Sequence, residues 1–168
     1  METHREKLSF QDAAFLRMES VLHPFHVAGL MVLREPEKMP SGYFRKLARH
    51  CGRLNELWPI FNKKLKEPDN LRNPVWVEAD DYDPNYHVSH YALPQPGRME
   101  DLLTLVSRVH ERMLDRHRPL WEVHVIEGLP RNRFALYCKV HHALVDGVGA
   151  LQMIDALFST SPNARIDF

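Results

Sequence analysis

The 168-residue chain predicts an α/β layered fold, and three observations lead there. Short alternating runs rich in branched and aromatic residues interleave with segments whose apolar residues recur at three and four. The length suits one domain with a sizeable core. The composition, 44% hydrophobic and 26% charged, is that of an ordinary globular protein and excludes disordered and collagen-like chains.

Taken in order, residues 8–20 form a short amphipathic helix, with Ser9 as N-cap and Asp12 in its first turn. Residues 25–33 follow Pro24 as a buried strand. Pro40 and Ser41 open a helix whose apolar face is Phe44, Leu47, Ala48 and Cys51. Its other face carries Arg45, Lys46, Arg49 and Arg53, either as a solvated surface or as a seat for phosphate or anionic lipid. Prolines then break the chain into short extended pieces at 60–65, 75–77 and 87–93. A long helix spans 99–115, with Leu102, Val106, Val109 and Met113 on one stripe and Leu103 and His110 at its edge. Pro119 ends the helical stretch, and Trp121 to Leu129 reads as a strand.

The next segment alternates most clearly. Phe134, Leu136, Cys138 and Val140 form an apolar face, and Ala135, Tyr137 and Lys139 form the other. Continued, that strand puts His142 on the apolar face and His141 opposite. The chain then turns at Val145, Asp146 and Gly147, and a helix starts near Val148 with Leu151, Ile154, Leu157 and Phe158 on one side. Residues 1–158 read as one lobe, and the polar, aperiodic residues 159–168 as a linker or cut end.

Charge and cysteine usage remove several function classes. Twenty-two Lys and Arg balance 22 Asp and Glu, so no net field favours nucleic acid. Eleven histidines, many expected on the surface, make the chain cationic below pH ~6.5. Cys51 and Cys138 form no C-x-x-C and fall on apolar faces, as buried reduced thiols of a cytosolic protein do. Residues 1–7 are too charged for a signal peptide, and the longest apolar run, 27–33, is far short of the ~20 residues a spanning helix needs. The expected location is cytoplasmic, with peripheral contact at an inner membrane or lipid body.

His141-His142-x-x-x-Asp146-Gly147 is the one local pattern with catalytic potential. A chain of this composition meets it by chance about 0.002 times, and here it sits where a strand gives way to a loop. A histidine at such a strand end can act as general base toward a hydroxyl or amine. Asp146 can orient the loop, pair with a cation or cap the next helix, and Gly147 allows close backbone approach. The bland alternative is two histidines that merely end a strand. Adjacent strand residues point to opposite faces, so no shared metal is expected at His141 and His142. His23, His26, His87 and His90 lack any metal-ligand or catalytic context and suit surface or packing roles.

The segment HHALVDG (141–147) resembles the HHxxxDG motif of acyltransferases with the chloramphenicol-acetyltransferase-like fold. Residues 8–20 (LSFQDAAFLRMES) and 23–33 (HPFHVAGLMVL) resemble the opening of the bacterial wax ester synthase/diacylglycerol acyltransferase family. Residues 114–129 (LDRHRPLWEVHVIEGL) are similar to its PLW segment, Pro119, Leu120 and Trp121 here. The resemblance implies a layered sheet with flanking helices, the N-terminal half of a two-lobed enzyme whose C-terminal lobe completes the channel. It implies transfer of a fatty acyl group from acyl-CoA, a substrate and not a cofactor, to a long-chain alcohol or diacylglycerol. His142 would be the general base, with His141, Asp146 and Gly147 supporting and no metal. Residues 1–168 alone would then not turn over. Lipid substrates suggest membrane contact through the basic residues of 45–53 or 63–66. The rivals are a condensation-type acyltransferase using carrier-protein thioesters, which shares the motif but not the opening or PLW segments, and a non-catalytic binding module of the same fold.

Overall fold

The computed structural model describes residues 5–145, 149 and 151–153. The expected α/β architecture is present. A four-stranded sheet is built from β2 (His26–Arg34), β7 (Arg133–His141), β6 (Trp121–Leu129) and β5 (Val88–Ala92), in that spatial order. Only the β5–β6 pair is parallel. A smaller antiparallel sheet joins β1 (Glu6–Lys7), β4 (Val75–Glu78) and β3 (Lys63–Leu65). The helices are α1 (Phe10–Met18), α2 (Tyr43–Cys51), α3 (Leu54–Leu57), α4 (Pro84–His87) and α5 (Met99–Glu111).

Local chemistry explains these boundaries. Ser9 accepts a hydrogen bond from the Asp12 amide at 3.1 Å and caps α1 as expected. At the other end of the chain order, α5 stops four residues before the expected position 115, at Glu111. Its last carbonyls are taken by a side chain from the sheet: Lys139 donates to Val109 O at 3.0 Å and Arg112 O at 2.7 Å. An ammonium placed there also answers the negative end of the helix dipole. The chain then turns extended, and Leu114 drops into a different part of the core.

The two faces of β7 are used in the opposite sense to the one its pattern suggests. Ala135, Tyr137, Lys139 and His141 are fully buried, whereas Leu136, Cys138 and Val140 are only half-buried. The nominally polar face lies under α5, where each polar group finds a partner. The Tyr137 hydroxyl lies 2.7 Å from His110 Nδ1, and Lys139 lies 3.4 Å from Glu122 as well as on the helix carbonyls. His110 is otherwise exposed, the boundary position its spacing predicts.

His23, His50, His90, His110 and His117 are exposed, in keeping with the expected surface histidines, whereas His26, His87, His124 and His141 are buried. His87 shows why: its ring stacks 4.6 Å from Trp121 and 5.1 Å from Tyr82, and its Nδ1 lies 2.9 Å from Trp121 O. A neutral imidazole packs there as an aromatic ring. Both cysteines are free thiols but half-buried rather than fully buried as expected; burial still pushes Cys51 up to about 11 and Cys138 up to about 12. The Asp146, Gly147 and Val148 turn, the apolar positions 154, 157 and 158, and the boundary at 158 lie outside the described residues. Positions 149 and 151–153 are helical, as expected.

Lys139 should therefore be structural. Burial lowers its pKa, Glu122 holds it partly up, and removing the ammonium takes one partner from Glu122, leaving it His124, and frees two carbonyls. We expect Lys139→Met to cost about 2–3 kcal/mol in urea unfolding. An unchanged midpoint would remove this role.

Candidate functional site

The site forms where β7 runs out. β7 ends at His141, and the His142 amide still continues the ladder by donating to Phe25 O at 2.8 Å. That bond turns the His142 side chain to the face shared by Val140 and Cys138, as the alternation predicts. The chain then folds into a tight turn in which the amides of Leu144 and Val145 donate to His141 O at 2.9 and 3.4 Å. Ala143, Leu144 and Val145 are all buried, which anchors the turn in the core.

His142 is half-buried. Its ring lies 4.4 Å from the Phe15 ring of α1, and Phe15 in turn packs 5.4 Å from Phe25. Its Nδ1 is buried with no hydrogen-bond partner among the described residues. The ring stands beside an apolar groove of about 310 Å³ that runs over the sheet. Val27, Met31, Trp121, Val123, Cys138 and Val140 form much of its floor, and Leu54, Trp58 and Phe61 rise along one side.

His141 points the other way, into the interior, and is wholly buried. Its Nδ1 accepts from the Ala143 amide at 3.0 Å, so the ring proton stands on Nε2. Nε2 lies 3.2 Å from Glu19 Oε1. The same carboxylate accepts the Phe25 amide at 3.1 Å and the Arg116 guanidinium at 3.0 and 3.3 Å. Arg116 also donates to Leu16 O at 2.8 Å. Burial would raise the Glu19 pKa, but His141, the Phe25 amide and Arg116 together bring it down to about 2.

The PLW segment serves as the frame for this site. Leu120 is fully buried, and its carbonyl accepts the His141 amide at 3.0 Å. Trp121 pairs with Val140 across the sheet and donates its indole N–H to Phe61 O at 2.8 Å, fixing the groove wall. Pro119 is buried just before them.

The structure thus brings together His141, His142, Leu120 and Trp121, while Asp146 and Gly147 lie outside the described residues. Glu19 and Arg116 are absent from the sequence-derived site, although both lie within the segments that carry the family resemblance. Nothing local marks them, because their partners are distant along the chain. Among the described residues, no group of three or more His, Cys, Asp or Glu is arranged to hold a metal ion, and no helix is long and apolar enough to cross a membrane. The basic residues of 63–66 are not a cationic face: Lys63 pairs with Glu6, Lys64 with Asp80 and Asp81, and Lys66 with Glu67. Arg53 pairs with Glu56, which leaves Arg45, Lys46 and Arg49 as the exposed basic residues of α2.

Glu19 predicts an acid-labile site. Its folded pKa of about 2 lies below the ordinary 4.5, so its contribution is complete above pH 4.5 and fades as pH falls toward 2. The difference corresponds to about 3 kcal/mol. Glu19→Gln should lower stability at pH 7 by about 2–3 kcal/mol and flatten the stability profile between those pH values. A variant that keeps the wild-type slope would contradict the assignment.

Comparison with known proteins agrees with this geometry. The family model described as "Wax ester synthase/diacylglycerol acyltransferase catalytic domain" matches residues 8–166. The protein named "Probable diacyglycerol O-acyltransferase tgs2" from Mycobacterium tuberculosis is 43% identical over 153 residues, 90% of this chain and 34% of that protein. "O-acyltransferase WSD" from Acinetobacter baylyi is 38% identical over 150 residues, 88% of this chain and 31% of that protein. The solved wax ester synthase/diacylglycerol acyltransferase from Marinobacter aquaeolei VT8 superposes with a TM-score of 0.84 at 43% identity, covering 95% of this chain and 38% of that one. A starter condensation domain of rhizomide synthetase shares the fold, with a TM-score of 0.68 at 14% identity. The chain spans about a third of the length of these two curated relatives. Its motif order, fold and family match agree, and the chain belongs to the wax ester synthase/diacylglycerol acyltransferase family.

Proposed function

We propose that the chain is the histidine-bearing part of a longer acyl-CoA-dependent O-acyltransferase, acting on a long-chain alcohol or diacylglycerol, with His142 as general base. The observation that carries this reading is the position of His142, held by its own backbone at the side of an apolar groove. The family membership and the relatives' names support it.

The chemistry needs one proton held briefly at one imidazole. His142 takes the proton from the acceptor hydroxyl as that oxygen bonds to the thioester carbonyl carbon. The carbon–sulfur bond then breaks, and the imidazolium returns the proton to the departing CoA thiolate. The balance closes without a covalent acyl-enzyme. His141 acts through its backbone and Glu19 rather than on substrate, with Asp146 and Gly147 as the remaining supporting residues of the motif. A further lobe, supplied by the length its relatives carry, would close the groove. An apolar groove suits fatty chains better than the amine acceptors of condensation-type enzymes, which favours the lipid reading over that rival.

The first test is CoA release from palmitoyl-CoA with hexadecanol or a diacylglycerol, using the full-length parent. Release should require the acceptor and fall at least ~100-fold in His142→Ala. A parent inactive with both acceptors overturns the enzyme reading in favour of a binding module. A fully active variant overturns the role of His142. Peripheral lipid contact rests on α2, where reversing Arg45 and Arg49 to Glu should lower binding to anionic liposomes. Unchanged binding removes that surface.

A further inference from the structure

We infer that Phe15 is a positioning residue for the base, its ring holding the His142 imidazole toward the groove. The inference rests on the acyl-transfer reading of His142 and names what fixes that side chain.

The backbone secures only one end of His142. Its amide donates to Phe25 O, whereas its imidazole turns about two side-chain torsions, the second of them broad. Among the described residues, no hydrogen bond reaches its buried Nδ1. What meets the ring is Phe15, with centroids 4.4 Å apart and the planes tilted by 41°. An aromatic ring packed there hinders rotation without fixing a proton, and it tolerates the charge that the imidazole gains in the reaction.

Phe15 is itself held in place. Ser9 caps the start of α1, and the wholly buried Leu16 fixes how the helix is turned. Phe15 O accepts the Glu19 amide at 3.0 Å, and Leu16 O accepts the Arg116 guanidinium at 2.8 Å. The Phe15 ring also packs 5.4 Å from the ring of Phe25. Phe25 therefore serves both ends of His142, the amide through its carbonyl and the imidazole through Phe15.

Two simpler roles do not account for this ring. Among the described residues, neither Phe15 nor Phe25 belongs to the packed hydrophobic clusters of the core. Nor does Phe15 line the groove, so a chain lying there meets His142 and not Phe15. Its influence on the reaction passes through the imidazole.

The test is steady-state kinetics of the full-length parent with Phe15→Leu and Phe15→Tyr, using palmitoyl-CoA and hexadecanol. Phe15→Leu keeps an apolar residue without a flat face. Its kcat should fall ~10-fold or more, with both KM values within about twofold of the parent's. Phe15→Tyr restores the ring and should bring kcat back to within ~3-fold of the parent. Phe15→Met repeats the truncation if Phe15→Leu does not fold. An unchanged kcat in Phe15→Leu, a loss carried by KM, or a Phe15→Tyr no better than Phe15→Leu overturns the proposal. A second readout needs no turnover. In the histidine-labelled parent, NMR should show one sharp His142 side-chain signal, identified by its loss in His142→Gln. In Phe15→Leu that signal should broaden or split as the ring samples other rotamers, and a single sharp signal overturns the positioning role. If the parent turns over no acceptor, a broadened signal still upholds that role while the transfer reading fails, and a sharp one overturns both.

Discussion

The buried carboxylate of Glu19 is where the stretches of chain surrounding His142 are tied together. It sits at the C-terminal end of α1, where its own amide is held by Phe15 O at 3.0 Å. From there it reaches Arg116 before the PLW segment, the Phe25 amide before β2, and His141 at the end of β7. Each of these segments carries another part of the site. Phe25 supplies the carbonyl that positions His142, α1 supplies the Phe15 ring against it, and the segment after Arg116 supplies Leu120 and Trp121. A buried negative charge is tolerable only with such partners, so the fold cannot loosen one segment without exposing the others to an unpaired charge. The need to satisfy one carboxylate thus becomes a constraint on the geometry of the histidine.

The sheet divides its labour between faces. The side under α5 holds Lys139, tied to helix carbonyls and Glu122, Tyr137, tied to His110, and His141, tied to Glu19. The side facing the groove holds aliphatic residues, the Cys138 thiol and the Trp121 ring, whose indole N–H is satisfied by Phe61 O, and leaves a surface that an apolar ligand can cover. This reverses the usual inference from an amphipathic strand, in which the apolar side is the core. Polar side chains whose hydrogen bonds close internally can form a dry interior, and apolar side chains can line a cavity kept for substrate.

Much of the scaffold is legible in the chain because it depends on local rules. The Ser9 cap, the strand from Trp121 to Leu129 and the alternation from Phe134 to Val140 follow from residue type and spacing alone. His142 was legible because its motif is compact and its strand parity is short-range. Glu19 and Arg116 were not, since their roles exist only through partners about a hundred residues apart in the chain. The early end of α5 was hidden for the same reason, as the periodicity of Met113 continues the helix while Lys139, far along the chain, terminates it. The basic run at 63–66 looked like a charged face because the acids that neutralise it come from other segments.

The sequence by itself determined the fold class, the family and the identity of the candidate base, because hydrophobic period, capping and motif spacing act over a few residues. The tertiary structure alone decided which face of β7 is core and which is groove, and what holds His141 and His142 in place. Those are matters of who meets whom across the fold, where burial makes every unpaired charge costly and every unfilled volume a statement about a ligand.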